Sequence, residues 1–317
     1  MNSNGLSGDE RLDPELRPIV EVLRTKAAAR PPMASVTPEQ MRLRAAEEFV
    51  PWNRDPEAIA SLQDLVAVGM KVRLYDSAPG VLTGLLVYAH GGGWVIGDLE
   101  LEDAALRRLS ISSGQRILSV DYRLAPEHPF PRQLDDIESV FRWAATGPAE
   151  LGIKPQKIAL GGASAGANLA LGTALRLRDF GRPMPTFLLL MYGAFAGGVE
   201  TGSSLEFGDG RFGLPATAMA YFWNIYAGSV NSATLGYAIP LRADLGGLPA
   251  VFANYAGLDV LRDDTILLVE RLKAAGVLVN HRAYPGAIHG FTQYVKSSAL
   301  ARFALDEAGA ALRDAIG

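Results

Sequence analysis

The sequence of 317 residues contains no cysteine. This absence excludes disulfide frameworks, thiolate zinc sites, iron–sulfur clusters and cysteine nucleophiles. The chain also lacks a strong excess of either charge, because its 30 basic and 34 acidic side chains give a formal net charge of −4. A mildly negative chain without a long basic run argues against nucleic acid as the main partner.

Long apolar runs are also missing. No stretch approaches the about 20 apolar residues that a helix needs to cross a bilayer, so we expect no membrane partner. The opening residues, MNSNGLSGDERLDPELRP, are polar and acidic and contain no apolar core of a secretory signal. These absences predict a cytoplasmic protein. Histidine is rare as well, with four in the chain: His90, His128, His281 and His289.

From residue 51 onward, short apolar runs alternate with helical patterns. The following runs predict strands of the kind buried in a parallel sheet: GLLVYAH, RILSVDY, KIALGG, TFLLLMY, PAVFANY and VLVNHRAY. Helical patterns fall near residues 99–113, 132–146, 166–180, 263–275 and 296–315. The earlier run VAVGMKVRLYD alternates more and predicts an antiparallel edge. We therefore expect an α/β fold with a mostly parallel, doubly wound sheet and helices on both faces.

Two regions differ from this alternation. Residues 1–50 show helical spacing, and Thr37-Pro38-Glu39 predicts the start of a helix with proline in its first turn. Residues 197–236 show no strand pattern, only a Gly/Ser-rich loop and the aromatic stretch TAMAYFWNIYAG. An insertion after the carboxyl end of a strand usually lies above the active crevice. We expect both regions to form a helical cap on a core of residues 51–317.

The pentapeptide Gly162-Ala163-Ser164-Ala165-Gly166 has the pattern G-x-S-x-G. It lies between the apolar run IALGG and the helical stretch ANLALGTALRLRD. That strand–turn–helix setting can expose a serine hydroxyl on a strained elbow above the sheet. The alternative is a small-residue turn that lets helix and strand pack closely. A phosphate-binding loop is excluded, because no Lys-Ser or Lys-Thr pair follows Gly166.

A second glycine motif, His90-Gly91-Gly92-Gly93-Trp94, follows the predicted strand GLLVYA. Consecutive glycines can turn backbone N–H groups into a cavity, where such groups stabilise an oxyanion. The alternative is a flexible turn after the strand. A plain turn rarely needs more than one glycine, so the three glycines favour the oxyanion interpretation.

A nucleophilic serine needs a base, and the base needs a group that orients it. His289 stands in PGAIHGF just past the last predicted strand, where catalytic groups of open α/β sheets gather, so we favour it over the other histidines. Asp259 follows the strand PAVFANY, and Ser164, Asp259 and His289 have the chain order of α/β-hydrolases. Asp263 and Asp264 are alternatives, but their position predicts acidic residues at a helix N-terminus.

Five motifs, HGGGWVIGD, DYRLAPEHPFP, GASAG, GLDVLRDD and AIHGF, follow one another over roughly residues 70–315. In order and spacing the sequence resembles the bacterial hormone-sensitive-lipase-like esterases, the α/β-hydrolase fold-3 group. That resemblance implies an α/β-hydrolase fold, carboxylic-ester hydrolysis, a small-molecule ester as partner and no metal or organic cofactor. It also implies that a homodimer can form. The family's site residues fall on Ser164 as nucleophile, Asp259 as acid, His289 as base and the amides of Gly92, Gly93 and Ala165 as oxyanion hole.

The sequence also departs from this family. Ala163 and Ala167 replace the family's usual Asp and Gly, Tyr192-Gly193 replaces Tyr-Pro, and the DP-x-x-SP loop appears only as LGYAIPL. These changes leave the expected reaction class intact and bear on the shape of the acyl and alcohol pockets.

Aromatic residues form the expected substrate pocket: Trp94, Phe222, Trp223 and Tyr226. Rings that line the crevice would shorten the acyl channel, which favours esters with short to medium acyl chains of about C2–C8. The alternative is an aromatic stripe that only buries the cap against the core. The same triad could cleave lactones, amides or carbamates, and the fold can also serve as a non-catalytic small-molecule receptor. A metal-dependent hydrolase is disfavoured, because the sequence has no H-x-x-x-H motif and no cysteine cluster.

Overall fold

The computed structural model describes residues 8–29, 35–228 and 230–317. The strands are β1 (Ser61–Ala67), β2 (Met70–Asp76), β3 (Thr83–Ala89), β4 (Arg116–Val120), β5 (Ile153–Ala163), β6 (Phe187–Met191), β7 (Ala250–Leu258) and β8 (Val279–Ile288). The α-helices are α1 (Gly8–Arg11), α2 (Arg17–Ala28), α3 (Pro38–Asn53), α4 (Asp103–Ser113), α5 (Arg132–Ala144), α6 (Ala165–Asp179), α7 (Gly202–Phe207), α8 (Ala216–Ala227), α9 (Leu235–Ala238), α10 (Arg262–Ala274) and α11 (Ala299–Ile316). The described strands form one eight-stranded sheet in the order β1-β2-β4-β3-β5-β6-β7-β8.

The sheet is parallel from β4 to β8, and β2 pairs antiparallel with both β1 and β4. A mostly parallel sheet with an antiparallel margin is thus confirmed. The run VAVGMKVRLYD, however, is not one strand. Its first residues end β1, and it turns at Val68 and Gly69, with φ of 47° and 85°, before β2 begins. Two successive positive φ angles are typical of a tight hairpin turn.

The apolar runs are continuous because both faces of the sheet are covered. Leu85 and Val87 of β3 belong to one hydrophobic core, which they share with side chains of α5, α6 and α10. Leu86 and Tyr88 point the other way, into a second core built with α2, α4 and α11. Successive side chains of a strand alternate between faces, so a strand buried on both faces reads as an uninterrupted apolar run.

The strand order reverses next to β3. The chain passes from β3 to β4 on one side of it, and β5 then pairs with β3 on the other side, with Ala89 opposite Gly162. Such a switch point opens a crevice at the carboxyl ends of the strands. The glycine loop after β3 and the serine turn after β5 therefore meet at this crevice.

The predicted helix start at Thr37 is confirmed. The hydroxyl of Thr37 accepts a hydrogen bond from the Gln40 amide, and the Gln40 side chain accepts one from the Thr37 amide. This capping box satisfies two amides of the first turn. The helix α3 continues to Asn53, beyond residue 50. Residues 1–7 and 30–34 of the predicted N-terminal segment lie outside the described residues.

The interval 197–236 has no strand in its described part, as expected, but its Gly/Ser-rich stretch is not only a loop. It contains α7, whose start is fixed because the Thr201 hydroxyl accepts a hydrogen bond from the Ser204 amide. Six residues are too few to show a helical period, which is why the sequence pattern misses this helix. None of the helices in the described ranges combines the length and apolarity that crossing a bilayer requires.

Candidate active site

Ser164 occupies a sharp turn between the end of β5 and the start of α6, with φ of 54° and ψ of −119°. Residues other than glycine rarely adopt a positive φ, and such strain gathers at functional sites. Two glycines make the turn possible. A Cβ atom on Gly162 would lie 2.5 Å from the carbonyl oxygen of Ala89, and one on Gly166 would lie 1.9 Å from the same oxygen. The turn therefore presses directly against the end of β3.

Three side chains from different strand ends form a hydrogen-bonded line. The Nε2 atom of His289 lies 2.9 Å from Oγ of Ser164, and its Nδ1 atom lies 2.8 Å from Oδ2 of Asp259. Nδ1–H can therefore donate to the carboxylate while Nε2 accepts from the hydroxyl. The Asp259 side chain is fully buried, and its other oxygen accepts from the Leu261 amide at 2.9 Å. Both oxygens are thus held in place.

The neighbouring carboxylates of Asp263 and Asp264 accept hydrogen bonds from backbone amides instead. Asp263 accepts a hydrogen bond from the Ser203 amide at 2.7 Å. Asp264 accepts from the amides of Phe195 and Ala196 at 2.7 and 2.8 Å. Burial raises the pKa of Asp264 to about 7, although these two hydrogen bonds lower it. Asp264 thus fixes the loop after β6, a role that its position at a helix start does not reveal.

The other histidines lie away from this line. The Nδ1 atom of His90 lies 2.7 Å from the Gly91 carbonyl oxygen, and its ring stacks on Tyr122 at 4.2 Å. Burial lowers the pKa of His90 to about 4, so its imidazole is neutral near pH 7. It contacts and supports the glycine loop. His128 is exposed, and His281 is half-buried within β8.

Backbone amides converge beside the serine. Within the described part of the chain, the amides of Gly92, Gly93 and Ala165 make no hydrogen bond to another protein group. Ala165 is the first residue of α6, where the helix dipole adds positive potential. A Cβ atom on Gly91 would lie only 3.6 Å from Cβ of Ser164, so the glycine loop borders the serine directly. These amides are available to an anionic oxygen.

Glu102 is a site residue that the sequence does not reveal. Its carboxylate accepts hydrogen bonds from the Gly91 amide at 3.1 Å and from the Tyr88 hydroxyl. The residue is buried beneath the glycine loop and lines the same cavity as Ser164. Burial raises the pKa of Glu102 to about 7, although both hydrogen bonds lower it. In the sequence it stands in LELED, an acidic stretch that resembles an exposed helix start.

Ser164 and His289 open into a cavity of about 270 Å³. Its walls are mainly apolar, as is usual for sites that bind small molecules. They include Leu23 and Ala27 of α2, Met41, Ala45 and Phe49 of α3, and Ala218, Met219 and Phe222 of α8. Of the described residues with acidic or basic side chains, Arg44, Glu48 and Glu102 also line it. Segments far apart in sequence thus enclose the serine.

The structure corrects most of the expected aromatic pocket. Phe222 lines the cavity, but Trp94, Trp223 and Tyr226 do not. Trp94 is fully buried; its ring stacks on Tyr226 at 4.3 Å and approaches Trp223 at 4.4 Å. These three rings fasten α8 to the glycine loop. The physical reason is that these three rings pack on one another between α8 and the glycine loop, so they are buried in that contact and do not face the cavity.

Sheet, switch point and strand-end site together define the class of α/β-hydrolases. The family model described as alpha/beta hydrolase fold matches residues 86–293. Two curated relatives come from Mycobacterium tuberculosis. Carboxylesterase NlhH is 31% identical over 313 residues, covering 96% of each chain, and esterase LipI is 37% identical over 212 residues, covering 66% of each.

Solved structures agree. The hyperthermophilic esterase of the archaeon Pyrobaculum calidifontis superposes with a TM-score of 0.87 at 33% identity, covering 96% of this chain and 98% of that one. An ester hydrolase from the Lake Arreo metagenome gives a TM-score of 0.88 at 32% identity and the same coverage. The chain belongs to the hormone-sensitive-lipase-like family of α/β-hydrolases. Its class of enzyme is that of the serine carboxylesterases.

Proposed function

We propose that the protein hydrolyses carboxylic esters through an acyl-enzyme formed on Ser164. The observation that carries this proposal is the continuous line of two hydrogen bonds, 2.8 Å from Asp259 to His289 and 2.9 Å from His289 to Ser164. A serine held on a strained turn, with its hydroxyl hydrogen-bonded to an oriented imidazole, is the arrangement that activates a weak nucleophile.

In the proposed reaction, His289 removes the proton from Ser164 as the hydroxyl oxygen attacks the ester carbonyl. Asp259 holds the imidazole in the required tautomer and stabilises its charged form. The amides of Gly92, Gly93 and Ala165 stabilise the oxyanion of the tetrahedral intermediate. His289 then donates its proton to the leaving alcohol, and a water molecule repeats the sequence to release the acid.

Replacing the nucleophile tests this mechanism. Ser164→Ala should lower kcat by about 10⁴- to 10⁶-fold, because the line of three groups works as a unit. Hydrolysis of 4-nitrophenyl butyrate is the measurement, and circular dichroism checks that the variant folds. A variant that keeps a tenth of the activity would contradict the proposal.

The choice of carboxylate has its own test. Asp259→Asn should lower kcat by about 10⁴-fold, since an amide mis-sets the imidazole tautomer without removing the base. Asp263→Asn is the matched control, because that carboxylate bonds the Ser203 amide. If the control loses more kcat than Asp259→Asn, the acid has been assigned to the wrong residue.

We further propose that α2, α3 and α8 act as a cap that restricts the acyl chain to about C2–C8. Two observations support this: the cavity of about 270 Å³ and the Phe222 ring in its wall, so close to the glycine loop that a Cβ on Gly93 would lie 2.5 Å from it. That volume is about nine times the volume of about 30 Å³ that one water molecule occupies in liquid water.

A series of 4-nitrophenyl esters measures this preference. The wild type should turn over acetate to octanoate best, and Phe222→Ala should move the optimum toward longer chains, because the cavity is larger without the ring. Ala218→Gly on the same helix is the matched control, since it removes wall volume without removing a ring. An optimum at palmitate, or activation at an oil–water interface, would refute the proposed cap.

A further inference from the structure

Arg44 is a cation in the wall of the cavity that contains Ser164. It lies on the face of α3 that lines the cavity, between Met41 and Glu48, and is half-buried. Its guanidinium makes no ion pair or hydrogen bond with any described residue. Glu48 lies one turn further along and lines the same cavity, yet no ion pair joins the two side chains. Glu48 has an interaction of its own.

This makes Arg44 unlike the other described arginines that are at least partly buried. Each remaining described arginine that is at least partly buried donates to a carboxylate or a carbonyl oxygen. The residues outside the described ranges, 1–7, 30–34 and 229, include no Asp or Glu. Within the described ranges, no carboxylate pairs with Arg44.

A half-buried guanidinium without an anion is costly, since it loses water and gains no partner. Its planar fork of N–H donors matches a carboxylate, to which it can donate two parallel hydrogen bonds. Among the described residues lining the cavity, the other side chains that can be charged near neutral pH are Glu48, Glu102 and His289. Arg44 is thus the permanent cation among them, and the ligand that suits it is an anion.

We propose that Arg44 is a specificity-determining residue that binds a carboxylate group carried by the ester substrate. The preferred substrates are then anionic esters, with the carboxylate on either the acyl or the alcohol part. The inference rests on the proposed ester hydrolysis at Ser164 and adds the substrate class. Because Arg44 belongs to α3 and not to the strand ends, it acts on binding, and its removal should raise KM more than it lowers kcat.

Two matched pairs of esters test the proposal. Mono-4-nitrophenyl adipate against 4-nitrophenyl hexanoate places the carboxylate on the acyl part, and 4-acetoxybenzoate against phenyl acetate places it on the alcohol part. In at least one pair, Arg44→Met should lower kcat/KM for the anionic ester by about 10- to 100-fold more than for its neutral counterpart, through KM. Arg44→Lys should keep part of the preference.

Arg17→Met is the control, because Arg17 is exposed on α2 and does not line this cavity. It should leave both pairs unchanged. Circular dichroism checks that Arg44→Met folds, and Arg44→Gln provides a second neutral variant. If Arg44→Met alters anionic and neutral esters equally in both pairs, the proposal is overturned. Absence of Ser164-dependent hydrolysis of the neutral esters would instead overturn the proposed function, so the two failures are distinguishable.

Discussion

The carboxylate of Glu102 is buried, and its hydrogen bonds compensate only part of the free-energy cost of burying its charge. The residue is 3% exposed, and burial raises the pKa of its carboxyl group from 4.5 to about 7 against the hydrogen bonds from Tyr88 and Gly91. The folded state therefore binds this proton more tightly than the unfolded chain does. Ionised Glu102 consequently costs stability, and the cost grows as pH rises from about 4.5 to about 7 and is constant above that.

Glu102→Gln should remove this pH dependence. The change in pKa corresponds to about 3 kcal/mol, so the variant should gain up to that much free energy of unfolding over the wild type between pH 5 and pH 8. Urea denaturation at both pH values measures the difference. Glu47→Gln, at an exposed position of α3, is the control and should show none. Parallel curves for wild type and Glu102→Gln would contradict the assigned burial cost.

Residues inside short motifs are predictable, whereas residues buried by distant segments are not. Ser164 and His289 stand next to glycines at the ends of apolar runs, so the local sequence marks both. Glu102 sits in an acidic stretch, and what buries it comes from β3 and from the loop after β8, including Gln293. No local pattern encodes that contact. The sequence also does not reveal that no described residue pairs with Arg44, because that depends on where all the nearby side chains lie in the fold.

At the scale of elements, Ala167 and Gly193 both depart from the family pattern, and their changes in side-chain volume compensate each other. A Cβ atom on Gly193, in the loop after β6, would lie 2.9 Å from Cβ of Ala167 on α6 and 2.2 Å from the ring of Phe195. The family usually has glycine at the helix position and proline at the loop position. Here the larger residue is on the helix and glycine is in the loop, so the contact between the two elements remains filled.

This complementarity predicts coupling. Gly193→Ala should lower the free energy of unfolding by about 1–3 kcal/mol, because it overpacks a filled contact. Adding Ala167→Gly should recover part of that loss, with a coupling energy of about 0.5–3 kcal/mol in a double-mutant cycle. Urea denaturation of the four proteins is the measurement. Strictly additive changes would show that the two positions are independent.

Long or continuous apolar elements were the predictable ones. The helices α5, α6, α10 and α11 show helical periods and the strands β3, β4, β6 and β7 show apolar runs, because each is packed against a core. The edge strand β8 is mostly exposed or half-buried. The strand β1 is mostly exposed at the sheet edge and shows no such run, and α7 is too short to show a period. Where α8 lies along the cavity depends on tertiary packing, so its aromatic spacing could not tell which rings face the substrate.

At the scale of the whole molecule, Arg42 fastens α3 to the core. Its guanidinium donates to the carbonyl oxygens of Val95 and Ala125 at 2.9 and 3.0 Å and to the carboxylate of Glu127 at 2.6 Å. These bonds join a wall of the cavity to the segment that follows the glycine loop, at Val95, and to the loop after β4, at Ala125 and Glu127. The position of the wall thus depends on contacts remote from Ser164.

Arg42→Met should therefore affect binding before chemistry. Loss of these bonds should destabilise α3 by about 1–3 kcal/mol and raise KM for 4-nitrophenyl butyrate by about 3- to 10-fold, with a smaller change in kcat. Steady-state kinetics and thermal unfolding are the measurements. Arg132→Met, at an exposed surface pair with Asp135, is the control. A fall in kcat at constant KM would mean that Arg42 supports the reacting groups instead of the wall.

The reacting groups stand at the ends of β3, β5, β7 and β8, whereas much of the wall belongs to α2 and α3, which precede the sheet in the chain. Mutation and selection can act separately on the cavity wall and on the strand ends. On the proposed function, substitutions in α2 and α3 should alter which ester binds while the groups at the strand ends are kept. Evolution could therefore change the substrate through substitutions in two helices, and no ancestor along that path would need to be inactive.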